Sequence, residues 1–179
     1  AKTVPPFGSA GYAHLLGSAY QRAFIDRNEK LADPAFASVP MQQLTDKAYA
    51  KKLYATIGDN RATPTPAVAK IMREGAQTTH YSVADAKGNA VATTTTLNAL
   101  YGSGVYVKGG GFFLNDEMDD FAAAPGKPNM FGLVQGEANA IQPGKRMLSA
   151  MSPTIVLDRD GALLLVVGSR GGPRIITST

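Results

Sequence analysis

Threonine is the residue type whose chemistry most needs explaining. The stretch QTTHYSVADAKGNAVATTTTLN carries six threonines, at Thr78, Thr79 and Thr93 through Thr96. β-Branched runs of this kind build strands. A threonine hydroxyl is also a nucleophile when a base stands beside it, and bases are scarce here. The 179 residues contain no cysteine and two histidines, His14 and His80, far apart in sequence. That removes disulfides, thiolate chemistry and zinc–thiolate sites, and argues against a Ser-His-Asp triad or a histidine metal site. The base that remains is an α-amino group, with an unperturbed pKa near 8. A threonine that becomes the first residue of a chain carries nucleophile and base together, provided the peptide bond before it breaks.

Other stretches invite chemical readings of their own. GSGVYVKGGG and GSRGGPR are glycine-rich but lack the GK[ST] ending of a phosphate loop. Consecutive glycines instead let backbone N–H groups converge on one point, as an oxyanion hole requires. Glu117, Asp119 and Asp120 form an acidic set that reads as calcium ligands, as catalytic carboxylates or as a solvated loop. Their spacing fits no EF-hand, and taken alone they favour the solvated loop. Lys47, Lys51 and Lys52 read as the wet face of a helix, and His14 as a helix-surface residue.

The elements that would hold these residues divide the chain in two. Residues 1–9 read as a Pro/Gly lead-in. Over 11–26, Tyr12, Leu15, Leu16, Ala19, Ala23 and Phe24 recur at helical steps, with Gln21, Arg22 and Arg27 on the polar face. LADPAF is a turn, and 44–57 reads as a second helix. Residues 58–77 are polar and proline-bearing, a linker or exposed tail. From Thr78 the pattern changes to strands: a pair joined by a turn at 85–89, a short apolar strand FFLN, and a hairpin of TIVL and ALLLVV with its turn at 158–161. A long turn-rich loop precedes that hairpin, and loops of such length are often functional. The division is therefore 1–77, helical, and 78–179, β-rich, an α+β organisation.

Composition sets the class. At 44% apolar residues and a formal net charge of +4, the chain has the material for a core and a mild basic balance. Scattered Lys and Arg without tryptophan exclude the clustered basic-aromatic surface of a nucleic-acid binder. No run reaches transmembrane length. The opening AKTVPPFGSAGYAH lacks the charged-then-apolar pattern of a signal peptide, so the chain reads as soluble.

The order QTTHYSV, TLN, NDEMDDF, PGKRMLSAMSPT and GSRGGPR resembles the γ-glutamyltranspeptidase family, the glutathione hydrolases. These are N-terminal nucleophile hydrolases made as one precursor that cleaves itself into a large and a small subunit. YQRAFIDRNEKLADPAF and VPMQQLTDKAYAK resemble the end of the large subunit, and Thr78 onward the start of the small one. The resemblance implies an αββα sandwich, apparently incomplete here because family precursors are about three times longer. It implies cleavage of Gln77–Thr78 with Thr78 as nucleophile, oriented by Thr96. Asn98, Glu117 and Asp120 would hold the amino and carboxylate ends of a γ-glutamyl substrate, Ser149 its α-carboxylate, and Gly171 and Gly172 the oxyanion. Residues 125–136 resemble a lid. Where many members have two serines this chain has Ser149-Ala150, and Phe131 stands where some have tyrosine. An arginine for the substrate carboxylate would come from upstream. No metal or cofactor is implied. The partners implied are a glutathione-like donor, an amino acid, peptide or water as acceptor, and the rest of both subunits, in the periplasm or outside the cell. A glutaryl- or cephalosporin-type acylase, or an uncleaved inactive precursor or fragment, is the alternative.

Overall fold

A computed structural model describes residues 3–59, 61–64 and 77–179. Helix α1, Ala10–Lys30, opens on Ser9, whose Oγ accepts from the Tyr12 amide at 3.1 Å. It runs one turn past the residues whose apolar spacing marks it. Lys30 pairs with Asp26 one turn back, and Arg27 and Lys30 oppose the negative end of the helix dipole. The chain turns extended at Leu31, ahead of the Asp33-Pro34 turn.

The expected helix over 44–57 is shorter, α3 at Lys47–Ala55, and a separate one-turn helix, α2 at Met41–Leu44, precedes it. Local hydrogen bonding divides them. Thr45 Oγ1 donates back to the Met41 carbonyl at 2.8 Å, and the Asp46 carboxylate accepts from the Ala48 and Tyr49 amides at 3.1 Å each. Capping side chains compete with a continuous helix, and here they win. Tyr49 reaches across to Asp26 at 2.9 Å, joining α3 to α1. Most of the expected linker 58–77 lies outside the described residues.

Three antiparallel hairpins follow. β1, Thr79–Ala84, pairs with β2, Ala90–Thr95, in a register running from Thr79 opposite Thr95 to Ala84 opposite Ala90. Asp85 Oδ1 closes the turn by accepting from Lys87 and Asn89 amides at 2.8 and 3.0 Å. β3, Tyr106–Val107, pairs with β4, Phe112–Phe113. β5, Thr154–Leu157, pairs with β6, Leu163–Val167, through a turn built the same way on Asp158. The β5–β6 hairpin packs against β1–β2. Their contact is close: a Cβ on Gly168 would lie 2.1 Å from the His80 ring, which is held by Thr94 and Ser82 hydroxyls at 2.8 and 3.1 Å. A 3₁₀ turn at Gly172–Arg174 leads into α4, Ile175–Ser178.

Between β4 and β5 the backbone is irregular and is held by polar side chains. Asn139 is fully buried. Its amide donates to the Asp120 carbonyl at 2.7 Å and to Gln135 Oε1 at 2.6 Å, while its oxygen accepts from the Leu148 amide at 3.2 Å. The Lys145 ammonium, also buried, donates to the carbonyls of Ala138 and Ala140. This loop is fastened to the helical segment. Asp33 takes a bidentate pair from Arg146, with Oδ1 2.9 Å from Nη2 and Oδ2 3.1 Å from Nε, and the Gly136 amide donates to the Asn28 carbonyl at 3.0 Å. The Arg146 guanidinium holds the Asp33 carboxyl well below the usual carboxylate range.

The result is α+β, helices first and antiparallel hairpins after. Buried apolar side chains are few among the described residues: Ile57, Phe121, Ala122 and Ile175. Tyr81, Val83 and Val91 on one hairpin and Leu157, Leu164 and Leu165 on another face outward. The accessible surface of 12190 Å² exceeds the roughly 8300 Å² expected of a compact monomer of this mass.

Candidate active site

The register of β1 and β2 places Thr78 opposite Thr96 at the open end of the hairpin. Thr78 is buried, and its hydroxyl donates to Thr96 Oγ1 at 3.3 Å. Thr96 Oγ1 also accepts from the Asn98 amide at 3.0 Å. Asn98 has φ of 74°, a conformation that asparagine tolerates better than most residues. That turn aims its side-chain amide at the Asp116 carbonyl, 3.3 Å away, while Asp116 Oδ1 accepts from the Ala99 amide at 2.9 Å. The strand end is thus bonded to the loop that begins at Asp116.

The short 3₁₀ helix Glu117–Asp120 follows at once. Here the structure corrects the solvated-loop reading of the acidic set. Glu117 is buried, and its Oε1 has no hydrogen-bond partner. Burial pushes its carboxyl up to about 8, helped by the neighbouring Asp120 and Asp116. Burial also raises Asp120 and Asp119. For Asp120 the charge of Asp119 adds to the rise, while Glu117 and Arg27 oppose it. Asp119 departs from the pair: its Oδ2 accepts from the Met130 amide at 3.1 Å and so tethers the 129–133 turn. Among the described residues no three His, Asp or Glu side chains are grouped to hold a metal ion.

These groups share a small cleft. Gln77, Thr78, Thr96, Asn98, Glu117 and Asp120 line it. Phe131 and Leu133, from the segment expected as a lid, lie at its edge. Ser149, Ala150 and Gly172 complete it. Ser149 Oγ accepts from the Met151 amide at 3.0 Å. Of the two expected oxyanion glycines, Gly172 lines the cleft and Gly171 stands next to it. Gly171 has φ of 134° and ψ of 31°, which a side chain would strain. Seven of the eight expected site residues line this cleft: Thr78, Thr96, Asn98, Glu117, Asp120, Ser149 and Gly172.

Arg27 is the residue that sequence reasoning placed wrongly. It reads as part of the polar face of α1, yet it is buried and lines the cleft. Its Nη2 donates to the Ser149 carbonyl at 3.3 Å. The signal was there in the spacing, since Arg27 falls four residues after Ala23 and three after Phe24, on the apolar stripe.

Comparison with known proteins agrees with this geometry. The family model for γ-glutamyltranspeptidase matches residues 3–179. The glutathione hydrolase proenzyme of Pseudomonas aeruginosa is 56% identical over 170 residues, covering 95% of this chain and 30% of the relative. That of Escherichia coli is 51% identical over 175 residues, covering 96% and 30%. An ACY 1 acylase proenzyme from a Pseudomonas strain is 40% identical over 172 residues, covering 96% and 29%. The chain thus spans about 30% of the length of the curated relatives it matches. Among solved structures, the γ-glutamyltranspeptidase of Pseudomonas nitroreducens in complex with L-DON superposes with a TM-score of 0.54 at 63% identity, covering 56% of this chain and 51% of that one. Among the described residues no helix is long and apolar enough to cross a membrane. A family model spanning nearly the whole sequence, with relatives above half identity, leaves one assignment: the chain belongs to the γ-glutamyltranspeptidase family.

Proposed function

We propose that this chain carries the catalytic centre of a γ-glutamyl acyltransferase and hydrolase that acts through Thr78 after cleavage of Gln77–Thr78. The observation that carries the reading is the buried Thr78 hydroxyl, bonded to Thr96 and opening onto a cleft that the buried Glu117 and the half-buried Asp120 also line. Processing comes first. Thr78 Oγ attacks the Gln77 carbonyl carbon, the C–N bond breaks, and the Gln77 acyl group passes to oxygen as an ester. Water cleaves the ester, leaving a Gln77 carboxylate and a free Thr78 amine. That amine then takes the Oγ proton as Oγ attacks the γ-carbonyl of a donor such as glutathione, and returns it to the leaving amine. Water or the amine of an amino acid or peptide releases the γ-glutamyl ester from Thr78. Until the bond breaks, the amine is locked in an amide and the uncleaved chain is inactive.

The remaining roles follow the cleft. Thr96 orients the nucleophile. Gly171 and Gly172 present amides to the oxyanion, Ser149 and Asn98 hold the α-carboxylate, and Glu117 and Asp120 take the ammonium. The two units are 1–77, ending a large subunit, and 78–179, beginning a small one. Their outward apolar hairpin faces suit coverage by the other layers of an αββα sandwich, supplied by the rest of both subunits. We place the enzyme in the periplasm or outside the cell.

A glutaryl-amide acylase is the competing reading, and the carboxylate pair argues against it. A glutaryl group is a γ-glutamyl group without the ammonium, so it would leave Asp120, half-buried beside Glu117, without the cation it is placed to receive. Turnover of γ-glutamyl p-nitroanilide against glutaryl p-nitroanilide decides between them. The γ-glutamyl compound should lead in kcat/KM by at least about 100-fold, and parity or reversal would favour the acylase.

A further inference from the structure

The segment that carries Ser149 has no regular structure to hold it. Residues 145–153 belong to no helix or strand, so side-chain bonds set its course. From within the loop, Asn139 holds the Leu148 amide. From outside it, Asp33 holds Arg146. Asp33 lies in the turn after α1 and is buried. Its Oδ2 accepts from the Arg146 amide at 3.0 Å and from Nε at 3.1 Å. Its Oδ1 accepts from Arg146 Nη2 at 2.9 Å and from the Ala35 amide at 3.1 Å. Three of these four bonds come from one residue, 113 positions later in the chain. One of the three is to the main chain, so Asp33 fixes backbone as well as side chain. A buried carboxylate is costly unless it is compensated in this way. Neither Asp33 nor Arg146 lines the cleft, and what they fix reaches it along the main chain from Arg146 to Ser149. The pair also spans Gln77–Thr78, so cleavage would turn a contact within one chain into a contact between two.

We propose that Asp33 is a positioning residue of the substrate site: by clamping Arg146 it sets the main chain that delivers Ser149 to the donor's α-carboxylate. The proposal rests on the γ-glutamyl reading above. It gives the segment before the scissile bond a continuing part in donor binding, because the clamp joins the two chains once Gln77–Thr78 is cut.

The test uses the full chain, with intact mass as the check of cleavage and KM and kcat for γ-glutamyl p-nitroanilide as the readout. Asp33→Asn keeps the shape of the carboxylate and removes its charge. Each carboxylate oxygen accepts two N–H groups, so whichever way the new amide turns, its NH2 faces two donors. KM should rise about tenfold or more with kcat within about threefold, since Thr78, Thr96 and the oxyanion glycines are untouched. A merely structural role would lower the amount of active enzyme, and so kcat, at an unchanged KM, and that result overturns the proposal. A double-mutant cycle with Ser149→Ala sharpens the test. Once the Ser149 hydroxyl is gone, Asp33→Asn should raise KM by less than about twofold more, and a second full rise overturns the proposal. Should Asp33→Asn fail to fold or to cleave, Arg146→Gln decides. The Arg146 side chain is 75% exposed, and the change leaves its main-chain bond to Asp33 in place. A KM raised about threefold or more at near-constant kcat supports the proposal, and an unmoved KM overturns it. A wild-type enzyme without γ-glutamyl activity would overturn the functional reading itself, whereas an active wild type with an unmoved KM in these variants removes the Asp33 assignment alone.

Discussion

The loop from Asp116 to Ser149 and the hairpins that flank it solve opposite problems. The loop has little regular structure, yet it buries Glu117, Gln135, Asn139 and Lys145. Asn139 and Lys145 alone gather five hydrogen bonds onto themselves. The hairpins have regular ladders and closed turns, yet Leu164 is 67% exposed and Leu157, Val83 and Val91 lie more than half open. Polar bonds are directional and specify one geometry locally, whereas apolar faces need only area and accept it from elsewhere. The site side of the molecule is therefore held by its own polar bonds, and the apolar faces of the hairpins stay open.

That contrast breaks first at Asn139. Truncation to alanine strands the Leu148 amide and Gln135 Oε1 and removes one of two donors from the Asp120 carbonyl, and should cost about 2–4 kcal/mol in denaturant unfolding. A loss below about 1 kcal/mol would show that the loop is held by something else. The seam between hairpins comes next. Gly168→Ala drives a methyl into the His80 ring, and the ring is pinned by Thr94 and Ser82, so destabilisation of about 1–3 kcal/mol is expected by the same assay.

A third effect concerns pH. The Glu117 carboxyl titrates near 8 in the folded protein and near 4.3 in the unfolded chain, so the folded state binds the extra proton between those values. Stability should fall as pH rises through that window. Glu117→Gln should flatten the fall, as thermal midpoints at pH 5 and pH 8 would show. An unchanged slope would mean that Glu117 is ionised at neutral pH.

Sequence patterns reported two of the three hairpins well, because β-branched and apolar runs and their turn signals are local, and missed β3, whose two residues lie inside a glycine-rich stretch. They reported α1 too short, because its last turn is polar and is secured by the Asp26–Lys30 pair rather than by apolar spacing. They began α3 too early and missed α2, because the Asp46 cap lies inside an unbroken helical pattern and α2 is a single turn. Thr78, Thr96 and the carboxylates were legible as an ordered set of motifs. The burial of Glu117 was not, since three acids in a polar loop look wet until the folded chain closes over them. Arg27 was hidden for the same reason: a charge on an apolar stripe reads as solvent-facing unless its distant partner is known.

The central claim is that Thr78 is a nucleophile released from its own chain. Intact mass of the purified full chain, wild type and Thr78→Ala, tests it most directly. The account predicts two wild-type species divided between Gln77 and Thr78, and a single uncut species in the variant. A cut at any other bond, or a cut that persists in Thr78→Ala, would contradict it.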